Sequence, residues 1–360
     1  MMATQPAFAK TENRRLAARK IAAIQNLRAL AWDKRTLYAA RGYTLLAAEA
    51  EIQPISWREV ARFRPASWRK LSSRSSPGSR LFRDGFHALA IHPRGNLIAA
   101  FPGAIATLRA GEKEFRVSHR IARGIRPLHI TATPAGQIFW GEYFDNSGRD
   151  EVHIYGSDDG GVTWDVAYTF PKGSIRHVHN ICYDRWQNCL WILTGDNRSE
   201  CRIIRASLDF SDVNAIVAGN QQARAVAAIV TASGLFFASD TPLERNYIYF
   251  LDRKGHVSKL SAIPSSSIYG CQNQTGVFFS TMVEPSDINQ TKDVHLVGSA
   301  NGDSWDTVAA WRKDRWSMKL FQYGNAFLPD GDNQTDLLAV STIAVEKADH
   351  ETSIWRTSRI

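Results

Sequence analysis

An eight-residue stretch, 157–164, constrains the fold of this chain more than any other part of the sequence. It reads Ser-Asp-Asp-Gly-Gly-Val-Thr-Trp and stands between two runs rich in β-branched and aromatic residues. Asp159 can accept hydrogen bonds from the backbone of its own turn, and the two glycines can adopt positive φ without a Cβ clash. Thr163 favours a return to extended backbone, and Trp164 offers a flat apolar ring to a neighbouring sheet. The stretch therefore predicts a tight hairpin that packs against another sheet.

Strand-like runs separated by tight turns recur from residue 36 onward. Seven units can be counted, of about 50 residues each, a length typical of propeller repeats. Two degenerate copies of the 157–164 stretch occur at residues 207–211 and 299–305. The sequence therefore predicts an all-β, seven-bladed β-propeller over residues 36–360 as a single domain. Six blades are the alternative, because the first and last units are degenerate, and residues 72–79 are expected to form a flexible loop between units.

The Ser-x-Asp-x-Gly-x-Thr-Trp spacing of residues 157–164 resembles the Asp-box of sialidases and other BNR-repeat proteins. In that family the box closes the hairpin between the third and fourth strands of a propeller blade, on the face away from the active site. The resemblance therefore implies that functional groups lie on the opposite face. The loops on that face connect one blade to the next, or the second strand of a blade to the third. Loops on a rigid scaffold commonly carry binding and catalytic residues.

The charge balance favours an anionic partner. The 360 residues include 44 lysines and arginines against 35 aspartates and glutamates, a formal net charge of +9. No helix-turn-helix, zinc-finger or RNA-binding signature is present, so we expect an acidic carbohydrate ligand and regard nucleic acid as the weaker alternative. No apolar run approaches the roughly 20 residues of a membrane-spanning helix. The four cysteines form no C-x-x-C pair and are expected to be free thiols.

Residues 1–35 are predicted to form a separate basic segment. Apolar residues recur near helical spacing among arginines and lysines, which predicts a basic amphipathic helix over residues 10–32. Such a helix packs on the domain or contacts a membrane surface or nucleic acid, and the last case predicts salt-sensitive binding that is lost without residues 1–32. No signal peptide is recognised, so a cytoplasmic location is expected by default.

The candidate site residues follow from the positions of the loops relative to the strands. His177 and His179 share one face of an extended stretch, and two such imidazoles can transfer protons or bind a metal ion. No third ligand is evident from the sequence, so we predict neither a metal site nor a cofactor. Trp140 is a sugar platform or a packing residue between blades. The candidate catalytic residues are His177, His179, His87, Tyr143, Glu142 and Asp84. The candidate substrate-binding residues are Arg83, Arg126, Arg176, Arg224, Gln222, Trp140, Asp196 and Asp240.

The resemblance implies two chemistries on an acidic sugar. Sialidases bind the carboxylate with an arginine triad and use a tyrosine–glutamate nucleophile pair with an aspartate acid/base, roles that would correspond to Tyr143, Glu142 and Asp84. The Arg-Ile-Pro motif of sialidases is absent here. Propeller polysaccharide lyases instead use histidine or tyrosine for proton transfer and arginine to neutralise a uronate. We therefore expect a glycoside hydrolase or a uronate polysaccharide lyase. The alternative is a non-catalytic BNR-repeat propeller that binds or assembles a partner.

Overall fold

The computed structural model describes residues 15–360, which form seven sheets. β1 (Leu16–Gln25) belongs to blade 7. Blade 1 contains β2 (Arg28–Lys34), β3 (Thr36–Arg41), β4 (Thr44–Glu49) and β5 (Arg58–Arg62). Blade 2 contains β6 (Ala88–Ile91), β7 (Leu97–Phe101), β8 (Ala104–Leu108) and β9 (Arg116–Arg120). Blade 3 contains β10 (Thr131–Ala132), β11 (Ile138–Gly141), β12 (Val152–Ser157) and β13 (Asp165–Phe170). Blade 4 contains β14 (His177–Asp184), β15 (Cys189–Gly195), β16 (Arg202–Ala206) and β17 (Val213–Ala218).

The remaining sheets follow in chain order. Blade 5 contains β18 (Ala225–Thr231), β19 (Gly234–Ser239), β20 (Tyr247–Asp252) and β21 (Val257–Ala262). Blade 6 contains β22 (Ser267–Gln272), β23 (Val277–Thr281), β24 (Asp293–Ser299) and β25 (Asp306–Arg312). Blade 7 contains β26 (Asn325–Phe327), β28 (Leu337–Ile343), β29 (Glu351–Arg359) and β1, while β27 (Asp330–Asn333) runs parallel to β2 in blade 1. The all-β, seven-bladed propeller is confirmed, and the six-bladed alternative is wrong.

Two compact units can be distinguished by their internal packing. Among the described residues, unit 1 comprises 15–36, 49–56 and 227–360, and unit 2 comprises 37–48 and 57–226. The single domain over residues 36–360 stays a prediction. Within unit 2, apolar side chains of adjacent blades pack together, with Ile154 and Ile192 between blades 3 and 4 and Ile98 and Trp140 between blades 2 and 3. Each such side chain contributes roughly 1.5–3 kcal/mol when fully buried.

The box hairpin forms where the resemblance implies, between the third and fourth strands of blade 3. Asp159 Oδ1 accepts hydrogen bonds from the backbone N–H groups of Val162 and Thr163, at 2.9 and 3.0 Å. Its Oδ2 accepts from the Thr163 hydroxyl at 2.7 Å. Gly160 and Gly161 both have positive φ, at 78° and 86°. The two shorter copies also connect third and fourth strands, with Asn301 and Asp209 as the accepting residues.

Residues 16–25 form a strand, so the predicted amphipathic helix is wrong there. β1 pairs with β29 in antiparallel register, from Leu16 opposite Arg359 to Gln25 opposite Glu351. An outer strand of a blade is half-exposed along its length, so its apolar residues do not need strict alternation. The backbone partner in β29, more than 300 residues away, therefore decides the structure of this segment. The part of the prediction on residues 10–14 lies outside the described residues.

Two short helices replace the loop predicted at residues 72–79. They are α1 (Ser67–Ser72) and α2 (Ser76–Phe82), and Ser75 caps α2 by accepting a hydrogen bond from the Gly78 backbone at 3.2 Å. Pro77, near the start of α2, is compatible with a helical first turn. Further along, α3 (Met318–Phe321) and 3-10 helices at Arg198–Glu200 and Gln221–Ala223 are equally short. In residues 15–360 no helix is long and apolar enough to cross a membrane, and the four cysteines, all within that range, form no disulfide bond.

Candidate functional site

Polar residues from four loops of unit 2 form one cluster that contains the Asp196 carboxylate. Two of them follow β11, three lie at the start of β14, one follows β15 and one precedes β18. These are the two loop sets from which the sequence analysis took its candidates. The residues of this cluster are Tyr143, Asp145, Arg176, His177, His179, Asp196 and Arg224.

The two histidines form the buried centre of the cluster. A shift in register between β14 and β15 lies at this point, between Val178 and Asn180. The Nε2 atoms of His177 and His179 lie 3.0 Å apart. The Nδ1 atom of His177 lies 3.0 Å from the carbonyl oxygen of Phe144, and that of His179 lies 2.9 Å from the carbonyl oxygen of Ala225. Backbone oxygens therefore hold both rings in fixed orientations.

Asp196 joins the histidines to two arginines. Its Oδ1 lies 3.6 Å from His177 Nε2, 3.3 Å from His179 Nε2 and 3.2 Å from an Arg224 terminal nitrogen. Its Oδ2 accepts a hydrogen bond from Arg176 at 2.9 Å. Burial alone would raise the pKa of Asp196, but its close contacts with the two histidines and the charge of Arg224 lower it far below its usual range. The carboxylate is therefore ionised and anchors the cluster.

The β14–β15 hairpin places the Asp196 carboxylate beside the two histidines. Asp184 pairs with Cys189 across the turn, and His177 pairs with Gly195 at the open end. Asp196 therefore follows directly beside the histidine strand. Glycine at 195 is needed because a Cβ there would lie 2.6 Å from Cε1 of the His179 ring.

Tyr143 and Asp145 border the cluster on the side of blade 3. The Tyr143 ring lies 4.3 Å from the His177 ring and 6.1 Å from that of His179, centroid to centroid. Asp145, whose side chain is largely exposed, accepts a hydrogen bond from Arg176 at 2.5 Å. That hydrogen bond is the main reason why the pKa of Arg176 is raised. The pKa of His179 is lowered, chiefly by burial and also by His177, against the opposing effect of Asp196.

Glu142 points to a different set of partners from its neighbour Tyr143. Its carboxylate forms a two-point ion pair with Arg123, whose Nε lies 3.0 Å from Oε1, and it accepts a hydrogen bond from the His153 backbone at 2.8 Å. The side chain is buried. Glu142 and Tyr143, the predicted nucleophile pair, are neighbours in sequence. In the structure the glutamate is held in an ion pair with Arg123.

Asp84 stabilises the α1–α2 segment through hydrogen bonds. Its carboxylate accepts hydrogen bonds from the Tyr43 hydroxyl at 2.9 Å, from Arg69 at 2.9 Å and from the Ser72 hydroxyl at 2.5 Å. Arg83 ends α2 in the left-handed conformation, and its carbonyl oxygen lies 2.6 Å from His87 Nε2. This group of candidates is thus built into the connection between blades 1 and 2.

The other candidates occupy varied environments. Trp140 is 1% exposed, stacks on Tyr155 of its own blade with ring centroids 4.4 Å apart and packs in the apolar core against blade 2, so it presents no face to a ligand. Gln222 is exposed and Arg126 is half-buried. Asp240 is buried directly after β19, in unit 1.

Sequence reasoning missed two residues of this region, Arg123 and Asp145. Both lie in the loop sets that supplied the other candidates, so their position was the available signal. It also missed that Asp196 offers a third metal-ligand atom beside the two histidines, with all three within 4.8 Å of one another. Chemically, the cluster combines two imidazoles, a phenol and two guanidinium groups, a set suited to proton transfer and to binding an anion.

Comparisons with known proteins identify a fold and no family. No family model matches the chain, and no curated protein matches it in sequence. A chain of the mitotic checkpoint complex crystal structure matches with a TM-score of 0.56 and 10% identity, over 99% of this chain and 98% of that one. The WD40 β-propeller domain of Doa1 matches with a TM-score of 0.55 and 9% identity, over 95% of this chain and 96% of that one.

A gluconolactonase from Xanthomonas campestris, XC5397, has a TM-score of 0.48 and 12% identity, over 75% of this chain and 87% of that one. At identities of 9–10% the likenesses to the mitotic checkpoint complex chain and to the Doa1 domain indicate the architecture alone. By its fold, the chain is a seven-bladed β-propeller similar to these two solved structures.

Proposed function

We propose that this propeller is a sialidase-like, Asp-box enzyme that cleaves an acidic glycan or polysaccharide by elimination at a uronate. The observation that carries the proposal is the meeting of His177, His179 and Tyr143 with Arg176 in one cluster. Imidazole and phenol groups transfer protons, and a guanidinium neutralises a sugar carboxylate. The net charge of +9 favours the approach of a polyanion.

Elimination requires few groups. A base removes the proton from the carbon beside the uronate carboxylate, and that electron pair forms a carbon–carbon double bond. The glycosidic carbon–oxygen bond breaks, and the departing oxygen takes a proton. Arginine disperses the charge that develops on the carboxylate. Tyr143, beside His177 and electrostatically coupled to Arg176, is the residue we assign to proton transfer.

The hydrogen bonds and ion pairs of the candidate carboxylates favour elimination over hydrolysis. A glycoside hydrolase needs two carboxyl groups that flank the bond to be cleaved. Asp84, Glu142 and Asp196 are each held by at least one arginine and by further donors. These three carboxylates are thus bound to neighbouring protein groups and do not form a pair that flanks one open position.

A non-catalytic binding propeller is the second candidate, and the same cluster supplies the observation that favours it. Asp196 already forms ion pairs with both Arg176 and Arg224. A protein that only holds a ligand could use this network as a rigid support for its loops. The two candidates differ in whether a covalent bond is cleaved.

The reaction class can be read from the masses of the products. The full-length protein is incubated with a panel of uronate- and sialate-containing glycans, and the products are analysed by mass spectrometry. Elimination yields an unsaturated product, with fragment masses that sum to the mass of the substrate. Fragments whose sum exceeds it by one water would overturn elimination in favour of hydrolysis. An unchanged panel would overturn catalysis on these substrates and favour the binding protein.

A variant links the activity to the cluster. Tyr143→Phe removes only the hydroxyl, and we expect turnover to fall by roughly 100-fold or more, the typical loss for a proton-transfer group. Tyr183→Phe is the matched control, because its hydroxyl donates to Asn188 near the β14–β15 turn, outside the cluster. Equal rates for both variants would remove Tyr143 from the mechanism.

A further inference from the structure

The hydrogen bonds of His177 and His179 determine which nitrogen of each ring carries the proton. Each Nδ1 atom lies within 3.0 Å of a backbone carbonyl oxygen, that of Phe144 for His177 and that of Ala225 for His179. A carbonyl oxygen only accepts hydrogen bonds, so each Nδ1 must carry the proton and donate it. In a neutral imidazole the second nitrogen is then a bare acceptor. Both Nε2 atoms therefore present lone pairs.

These lone pairs point into the same small space. The two Nε2 atoms are 3.0 Å apart, and Oδ1 of Asp196 lies 3.3 Å from one and 3.6 Å from the other. Both rings are buried, so bulk water does not screen them. Three electron-rich atoms at these distances repel one another unless a cation lies between them.

We propose that a divalent transition-metal ion of the Zn²⁺ class binds to Nε2 of His177, Nε2 of His179 and Oδ1 of Asp196. Zinc binds nitrogen and oxygen ligands at about 2.0–2.2 Å, which places two ligands of a tetrahedral site about 3.3 Å apart. The three separations in the cluster, 3.0, 3.3 and 3.6 Å, are centred on that value. Two histidines and one carboxylate form a recurrent ligand set of zinc sites with one open position.

The groups around the three ligands are those that a metal site needs. Metal-binding histidines usually donate their second N–H to a backbone carbonyl or a carboxylate, which fixes the ring and its tautomer. Both rings do so here. The Asp196 carboxylate is held in turn by Arg176 on Oδ2 and by Arg224 on Oδ1, and the Gln221 amide donates to the Asp196 backbone carbonyl at 2.9 Å. The ligand atoms are thus oriented before any ion arrives.

The charges around the metal site indicate which kind of ligand is favoured at its open position. Arg176 and Arg224 are balanced by Asp145 and Asp196, so the cluster with neutral histidines carries no net charge. A divalent ion leaves the cluster positive, which favours an anionic group at the open position. With the metal bound, the histidines serve as ligands and the Tyr143 hydroxyl remains for proton transfer. The metal site does not depend on the proposed function, since a protein that cleaves no glycan can still bind the ion.

Calorimetric titration tests the site without any glycan. Zn²⁺ is titrated into the full-length protein after dialysis against a chelator. We expect one equivalent to bind, and His177→Ala and His179→Ala each to weaken that binding by roughly 100-fold or more, beyond the loss typical of a residue that only supports a ligand. His256→Ala is the matched control, because its exposed ring lies 3.3 Å from Asp252 and offers an adventitious site. The control should bind Zn²⁺ as the wild type does.

X-ray absorption at the zinc edge provides a measurement on the wild type, independent of how the variants fold. We expect scattering from two imidazoles and no sulfur ligand. No saturable binding would overturn the proposal and assign a shared proton to the histidine pair. Binding that survives both alanine variants, or a spectrum with sulfur or a single imidazole, would also overturn it. Cleavage of the glycan panel would not rescue the metal site in any of these cases, so the two proposals can fail separately.

Discussion

At the scale of single residues, Asp196 has the largest influence on the candidate site. Its two oxygens contact Arg176, Arg224 and both histidines of the cluster. Removing one member of such a network leaves the others with uncompensated charge, which costs more than the lost contact itself. The carboxylate therefore determines both the stability and the geometry of the cluster.

The variant Asp196→Asn tests this role. We expect the free energy of unfolding to fall by about 2 kcal/mol, less than for a fully buried pair because Arg176 is partly exposed. Urea denaturation measures the change. Asp145→Asn is the matched control, since its exposed carboxylate binds the same arginine and should cost below about 1 kcal/mol. Equal costs for the two variants would contradict a central role for Asp196.

The sequence allows part of this site to be predicted. The pattern Arg-His-Val-His places two imidazoles on one face of a strand, and they do meet. Asp196 lies beside the histidines because β14 pairs with β15. Counting residue pairs outward from the turn at residues 185–188 would have placed Asp196 next to His177. The partners of Glu142 and Asp84 could not be predicted, because Arg123 reaches Glu142 from a loop and Arg69 reaches Asp84 from the short helix α1, and the strand periodicity fixes neither position.

At the scale of elements, the box hairpin converts a short motif into a defined turn. Asp159 accepts hydrogen bonds from Ser157, Val162 and Thr163. Trp164 donates its indole N–H to the Ser118 hydroxyl of blade 2 at 3.0 Å. The motif was predictable from local sequence because all its hydrogen bonds to Asp159 come from within five residues.

The contribution of Asp159 depends on pH. Burial alone would raise the pKa of Asp159, but hydrogen bonds from Thr163 and Ser157 lower it below its usual value. A group with a lowered pKa in the folded state adds stability above its unfolded pKa, and this stability is lost as the pH falls through the folded value. We therefore expect Asp159→Asn to be less stable than the wild type at neutral pH by about 1 kcal/mol.

The difference between the two proteins should shrink below about pH 4, where the unfolded carboxyl becomes protonated. Urea denaturation at neutral pH and at pH values down to about 3 measures the gap. Asp165→Asn, one residue after the box, is the control without these turn hydrogen bonds. A gap that stays constant with pH would show that the ionised carboxylate is not the stabilising form.

At the scale of the whole molecule, seven similar sheets account for the spacing of strand-like runs along the sequence. Repetition made the fold predictable, because each blade repeats the same alternation of strands and turns. The N-terminal segment was not predictable, because its partner β29 lies at the other end of the chain. Local periodicity carries no information about a partner that far away.

A chain that starts at Asn26 tests the importance of β1. Its absence leaves the outer edge of β29 unpaired along residues 351–359, while the pairing of β29 with β28 remains. We expect a lower melting temperature and concentration-dependent aggregation, since an unpaired edge strand associates with other chains. Lys20→Ala is the control, because it loses the 2.5 Å ion pair with Glu351 and keeps the backbone pairing. A truncated protein as stable and monomeric as the control would contradict a structural role for β1.

The location of the functional site is the central claim, and a crystal structure of the protein with a bound uronate oligosaccharide tests it most directly. We expect the sugar carboxylate within about 3 Å of Arg176 or of an ion held by His177 and His179, with the Tyr143 hydroxyl facing the reacting carbon. An oligosaccharide bound at the box hairpins, or at any site without contact to this cluster, would contradict the account.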